Sequence, residues 1–149
     1  MLLPLPLSAP CQHKSMMSKI LVIEDQADIR RLIRWSLEDT GHSLHEAPNG
    51  TQGLELALSL RPNLVFLDVM MPGGLGGIEV CAQMRADPAL AHTVIVMLTA
   101  DSAQQTRTRA LEAGANYFLA KPFSPAKLLE LTETLLSIPS EPEADAEAP

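Results

Sequence analysis

The sequence predicts a doubly wound α/β fold, a parallel sheet with helices on both faces. Two observations carry this. Short, unbroken apolar runs of strand length (KILVI from Lys19, NLVFL from Asn63, TVIVML from Thr93) alternate with amphipathic segments of helical spacing. Strands covered on both faces read as continuous apolar runs, and strands separated by helices imply a parallel, layered sheet. The alternation occurs five times between Lys19 and Ile138.

Each element has its own warrant. The first strand, Lys19 to Ile23, stops abruptly at Glu24-Asp25. Residues Asp28 to Thr40 put Ile29, Leu32, Ile33 and Leu37 on one helical face, with Gly41 as the stop. His42 to Ala47 forms a weaker strand, and Asn49 caps a helix through Leu54, Ala57 and Leu58. Asn63 to Leu67 is the next buried strand and ends in Asp68; a glycine-rich loop from Pro72 to Gly77 leads to a helix through Ile78, Cys81 and Met84. Thr93 to Leu98 ends in Thr99, and a helix from Ser102 to Ala113 stops at Gly114. A short strand from Asn116 to Ala120 runs into Lys121-Pro122, and Ser124-Pro125 opens a last helix that ends near Ile138. The expected organisation is a Pro-rich arm over 1–18, one domain over 19–138 and an acidic Pro-rich tail over 139–149.

Composition narrows the function. The chain has 149 residues and a net charge of −7. The tail carries Glu141, Glu143, Asp145 and Glu147, and the first nineteen residues carry Lys14 and Lys19, which leaves −5 for the middle. An acidic body argues against direct nucleic-acid binding, which relies on clustered Lys and Arg. Cys11 and Cys81 sit far apart in unlike settings, so a disulfide framework is not expected, in keeping with a reducing cytoplasm. The opening MLLPLPLSAP has no basic residue before its apolar run and is interrupted by Pro4, Pro6 and Pro10, unlike a signal peptide. No stretch approaches the roughly 18 continuous apolar residues of a membrane span. The expectation is a soluble cytoplasmic protein. A domain beginning just after Met16 and Met17 leaves the natural start open among Met1, Met16 and Met17.

In open parallel sheets, ligands bind beyond the carboxyl ends of the strands. Here those ends carry Glu24 and Asp25, then Asp68, Thr99 and Lys121. Three converging carboxylates repel one another unless a cation neutralises them. Mg²⁺ suits such a site because it takes a few carboxylates together with water and phosphate oxygens. A hydroxyl and an ammonium beside them suit a transferring phosphoryl group, which calls for charge neutralisation and positioning. Asp68, on the central run and next to the glycine loop, is the natural nucleophile.

At these residues the chain resembles the receiver domain of two-component response regulators. The resemblance lies in ILVIED ending in Glu24-Asp25, LVFLDVMMPG around Asp68, VIVMLTA around Thr99 and AGANYFLAKPF around Lys121. It implies a flavodoxin-like receiver fold with strand order 2-1-3-4-5. Asp68 would accept phosphate from a phosphohistidine on a sensor histidine kinase or a histidine phosphotransfer protein. Asp25, Asp68 and the backbone carbonyl of Met70 would hold Mg²⁺, with Glu24 acting mostly through water. Thr99 and Lys121 would bind the phosphoryl oxygens, with a cis Lys121-Pro122 bond. Thr99 and Phe118, three residues before Lys121, would form the switch that alters the surface read by a downstream protein target.

The chain departs from the family pattern in places. Phe118 stands where Tyr is common, so the switch ring has no hydroxyl. The loop after Asp68 is one residue longer than the commonest form, with four glycines around Leu75. Met70 and Asp101, each two residues after a site residue, flank the path of hydrolytic water and are candidates for setting phosphate lifetime. His42 and His45 fall on opposite strand faces and do not suggest a metal pair. Leu128, Leu131, Leu135 and Ile138, with Leu129 and Leu136, give the last helix two apolar directions; the second suggests a homodimer or partner surface. With no effector after Ile138, the expected protein is a stand-alone receiver and not an enzyme in its own right. The alternative is a phosphohydrolase with an aspartyl-phosphate intermediate, but that class carries an acid where Met70 stands. A flavodoxin-type FMN carrier is disfavoured because Glu24-Asp25 would repel phosphate.

Overall fold

The computed structural model describes residues 18–100 and 103–137. The Pro-rich arm, Asp101, Ile138 and the acidic tail lie outside the described residues. Five strands, β1 (Lys19–Ile23), β2 (Ser43–Ala47), β3 (Leu64–Asp68), β4 (Val94–Thr99) and β5 (Tyr117–Ala120), form one sheet of order β2-β1-β3-β4-β5 with every pair parallel. The helices between and after them are α1 (Ala27–Leu37), α2 (Gly50–Leu60), α3 (Gly77–Ala86), α4 (Gln104–Ala113) and α5 (Pro125–Ser137), with a 3₁₀ turn at Pro88–Leu90.

Side chains alternate across each strand, so each unbroken apolar run supplies two cores. On one face Leu21, Ile23, Val65, Leu67, Ile95 and Met97 meet Ala57 of α2, Val80, Cys81 and Met84 of α3, and Ala110 of α4. On the other, Ile20, Val22, Leu64, Phe66, Val96, Leu98 and Leu119 meet Ile33 and Leu37 of α1 and Leu128 and Leu135 of α5. Complete burial of each such side chain stabilises the fold by about 1.5–3 kcal/mol before conformational entropy is charged against it.

The expected stops act as read. Asn49 caps α2 by accepting from the Gln52 amide at 2.8 Å, and Ser124 caps α5 by accepting from the Lys127 amide at 3.1 Å. Gly41 and Gly114 take positive φ values of 86° and 110° after their helices. Several bounds shift by a residue or more: α1 ends at Leu37, with Thr40 closing a turn onto the Leu37 carbonyl through both its amide and its hydroxyl. Asp68 and Thr99 belong to their strands as terminal residues, because the parallel register carries Asp68 opposite Leu98 and Thr99 opposite Ala120. Leu58 of α2 is exposed, while Gly50, Gly53 and Ala57 form the helix's buried stripe. Gly53 is there because a Cβ would fall 2.6 Å from Ile23. The second apolar direction of α5 is partly absorbed by the fold, since Leu129 and Leu136, like Leu131 of the first, pack half-buried against the core.

Arg85 ties the far end of the sheet together. Its guanidinium donates to the Gly114 carbonyl (2.9 Å), the Leu90 carbonyl (3.0 Å) and Asn116 Oδ1 (2.6 Å), joining α3, the 3₁₀ turn, the end of α4 and the start of β5. Asn116 Oδ1 also accepts from the Ile95 amide at 2.7 Å.

Candidate functional site

Glu24 follows β1 and turns its carboxylate inward with no solvent exposure. Two hydrogen bonds hold that turn: Glu24 Oε2 accepts from the Gln26 amide at 3.2 Å, and the Glu24 carbonyl accepts from Arg30 at 2.7 Å. Arg30 also pairs with Glu46 of β2 at 3.4 Å. Asp25 is exposed, and Asp68 is 2% exposed at the end of β3. One carboxylate oxygen from each of Glu24, Asp25 and Asp68 lies within 4.8 Å of the other two. Lys121, just past β5, brings its ammonium to 2.9 Å from Glu24 Oε1 and 3.2 Å from Asp68 Oδ1. Its amide donates to the Thr99 carbonyl at 2.9 Å, and the Lys121-Pro122 bond is cis.

The electrostatics follow from this crowding. Burial is the main force pushing the Asp68 carboxyl up to about 7; the neighbouring Glu24 adds to it and Lys121 opposes it. Burial pulls the Lys121 ammonium down, but Glu24 and Asp68 outweigh it and hold its pKa above the ordinary lysine range. One ammonium faces three carboxylates, two of them buried, and Glu24 Oε1 has no hydrogen-bond donor of good geometry besides its ion contact with Lys121. All-oxygen donors, excess negative charge and one open, solvent-facing acid fit a hard divalent cation such as Mg²⁺. A groove of about 270 Å³, bordered by Asp25, Asn49, Gln52, Met71 and Pro72, opens beside the acids.

The other predicted residues fall in different places. Thr99 is buried at the end of β4, next to β3 in the sheet. The Met70 side chain is 67% exposed at the site's edge, and its amide donates to Asp68 Oδ1 at 3.2 Å. Phe118 is not among the acids. It lies half-buried on the core face that α4 covers, with Arg107 of α4 5.2 Å from its ring centroid. The glycine loop resolves into distinct roles. Gly73 and Gly74 take positive φ, and Gly77 lets α3 start directly against β3, since a Cβ there would fall 2.1 Å from the Asp68 carbonyl oxygen. Gly77, Arg30 and Arg107 were not singled out from sequence. The glycine cluster was a signal for the first, whereas the two arginines act across elements and leave no local pattern.

Residues 20–133 match the model of the response regulator receiver domain, and the chain belongs to that family, whose members are signalling domains of two-component systems. It is 42% identical over 119 residues to the transcriptional regulatory protein ResD of Bacillus subtilis, covering 80% of this chain and 48% of that protein. It is 35% identical over 117 residues to the phosphate regulon transcriptional regulatory protein PhoB of Pseudomonas aeruginosa, covering 78% of this chain and 51% of the relative. The chain thus spans about half the length of the curated relatives it matches. Among solved structures, the chemotaxis protein CheY4 of Vibrio cholerae superposes with a TM-score of 0.75 at 29% identity, over 80% of this chain and 98% of that one. The receiver domain of the sensor histidine kinase PA1611 from Pseudomonas aeruginosa PAO1, which has a magnesium ion coordinated in its active site cleft, gives 0.74 at 28% identity over 82% and 99%. The BeF₃-activated DrrB receiver domain gives 0.73 at 28% identity over 83% and 100%. Among the described residues, no helix is long and apolar enough to cross a membrane.

Proposed function

We propose that the protein is a phosphorylation switch whose phosphoacceptor is Asp68. The observation that carries this is the convergence of Glu24, Asp25 and Asp68 within 4.8 Å, with the Lys121 ammonium in ion contact with two of them. A carboxylate oxygen of Asp68 attacks the phosphorus of a phosphohistidine on a sensor kinase or phosphotransfer protein. The O–P bond forms, the P–N bond breaks, and its electron pair returns to the imidazole nitrogen. Asp25, Asp68 and the Met70 carbonyl would hold Mg²⁺, with Glu24 acting through water. When bound, the ion would supply positive charge against which an ionised Asp68 and an anionic phosphoryl group could approach each other.

Lys121 and Thr99 bind the phosphoryl oxygens. Thr99 is drawn toward the phosphate, and Phe118 follows inward, changing the surface around α4 and β5 for a downstream protein. The same domain promotes its own dephosphorylation, with Met70, at the site's edge, and Asp101, outside the described residues, as candidates for setting the lifetime of the phosphate. We place the folded unit at residues 19–138 and its action in the cytoplasm.

The test is incubation with Mg²⁺ and acetyl phosphate, read by intact mass. Wild type should gain one phosphoryl group and Asp68→Asn none. No gain in wild type, or equal gain in both, sinks the reading.

A further inference from the structure

The Phe118 ring has no hydroxyl with which to fix an outward position, yet it is held. It projects from β5 on the same sheet face as Met97 and Thr99, because Phe118 pairs with Met97, and Thr99 lies two residues further along β4. It packs at the margin of the core formed with α2, α3 and α4. Over its face lies the guanidinium of Arg107, an exposed residue of α4, at 5.2 Å from the ring centroid. That distance is within the range in which a cation is attracted to a ring quadrupole.

We propose that Arg107 is a latch that holds Phe118 outward in the unphosphorylated protein and so sets the threshold of the switch. The inference rests on the phosphoacceptor reading, in which Thr99 moves toward Asp68 and vacates space on the face it shares with Phe118. The ring can enter that space only by leaving the guanidinium. The contact therefore stabilises the outward state alone, and a group with unequal affinity for two states shifts their populations by that difference. An exposed cation–π contact corresponds to about a two- to fivefold bias.

The experiment is a calorimetric titration of the Mg²⁺-loaded full chain with beryllofluoride, a phosphoryl mimic. It compares wild type, Arg107→Gln, Phe118→Leu and the double variant. A companion NMR measurement on wild type follows the Arg107 side-chain protons, which the ring current of Phe118 displaces. The latch predicts that Arg107→Gln binds beryllofluoride about two- to fivefold tighter. Loss of a positive charge would by itself weaken anion binding, so the sign separates latch from field. The gain should vanish in the Phe118→Leu background, and the wild-type Arg107 protons should lose their ring-current displacement on activation.

Unchanged or weaker binding by Arg107→Gln overturns the latch, as does an equal gain without the Phe118 ring. Persistent ring-current displacement in the activated wild type also overturns it, and that result needs no variant to fold. If wild type binds no beryllofluoride, or Asp68→Asn binds it equally, the phosphoacceptor reading falls and takes the latch with it.

Discussion

At the scale of single residues, the site is a problem of charge held out of water. Asp68 has a folded-state pKa of about 7 against an ordinary value of 3.8. A raised carboxyl pKa means that the folded state binds a proton more tightly than the unfolded chain. The associated stability is therefore complete below pH 3.8 and is lost as pH rises toward 7. Metal-free protein should become easier to unfold in urea across that window. Asp68→Asn should remove most of the pH dependence and raise metal-free stability above pH 7, on the order of 1–2 kcal/mol. A metal-free Asn variant no more stable than wild type at pH 8 would contradict the charge account. Sequence alone singled out Glu24, Asp25, Asp68 and Lys121, because each sits at or just past the end of β1, β3 or β5. It did not find Arg30 on the Glu24 carbonyl or Arg107 on Phe118, since both bridge elements whose spacing in space is not written in local order.

At the scale of elements, the decisive junction is the entry into α3. Gly77 brings the helix start against β3 so closely that an alanine Cβ would fall 2.1 Å from the Asp68 carbonyl oxygen, a backbone atom that cannot yield without moving the site. Gly73 is the contrast, with positive φ but nothing within 4 Å of a Cβ. Gly77→Ala should cost about 1–3 kcal/mol by overpacking and also weaken Mg²⁺ binding. Gly73→Ala should cost about 1–2 kcal/mol of backbone strain and leave Mg²⁺ binding near wild type. Urea unfolding and metal titration of both variants check this, and equal loss of metal binding in the two would refute it. Strand and helix order were legible because period and punctuation are local. Exact ends were less so: apolar character stops at Leu67 and Leu98, whereas strand pairing continues to Asp68 and Thr99. The three hydrogen bonds of Arg85 to Gly114, Leu90 and Asn116 were likewise beyond sequence reasoning, because they exist only once α3, α4 and β5 are assembled.

At the scale of the whole molecule, a sheet that gathers three acids at one edge should gain stability from a bound cation. A ligand that binds only the folded state adds RT ln(1 + [L]/Kd), about 2.7 kcal/mol at a hundredfold excess over Kd. Mg²⁺ should thus raise the unfolding midpoint of wild type at pH 8, and Asp25→Asn should blunt the effect. Absence of any shift up to millimolar Mg²⁺ would count against the metal site. The fold class was legible from the sequence as a whole because five apolar runs alternate with helices, and the family followed from four strand-end motifs in order. A downstream partner was not, since a recognition surface is assembled from several elements and leaves no local pattern in the sequence.

The central claim is that phosphate is carried on Asp68 itself, and site-resolved trapping tests it most directly. After reaction with acetyl phosphate and Mg²⁺, borohydride reduces an acyl phosphate to an alcohol and converts a phosphorylated aspartate to homoserine. Peptide mass mapping should then place homoserine at position 68 in wild type, dependent on Mg²⁺. A reduced alcohol at another aspartate or at a glutamate, or none at position 68 under conditions where the protein remains folded, would contradict the account.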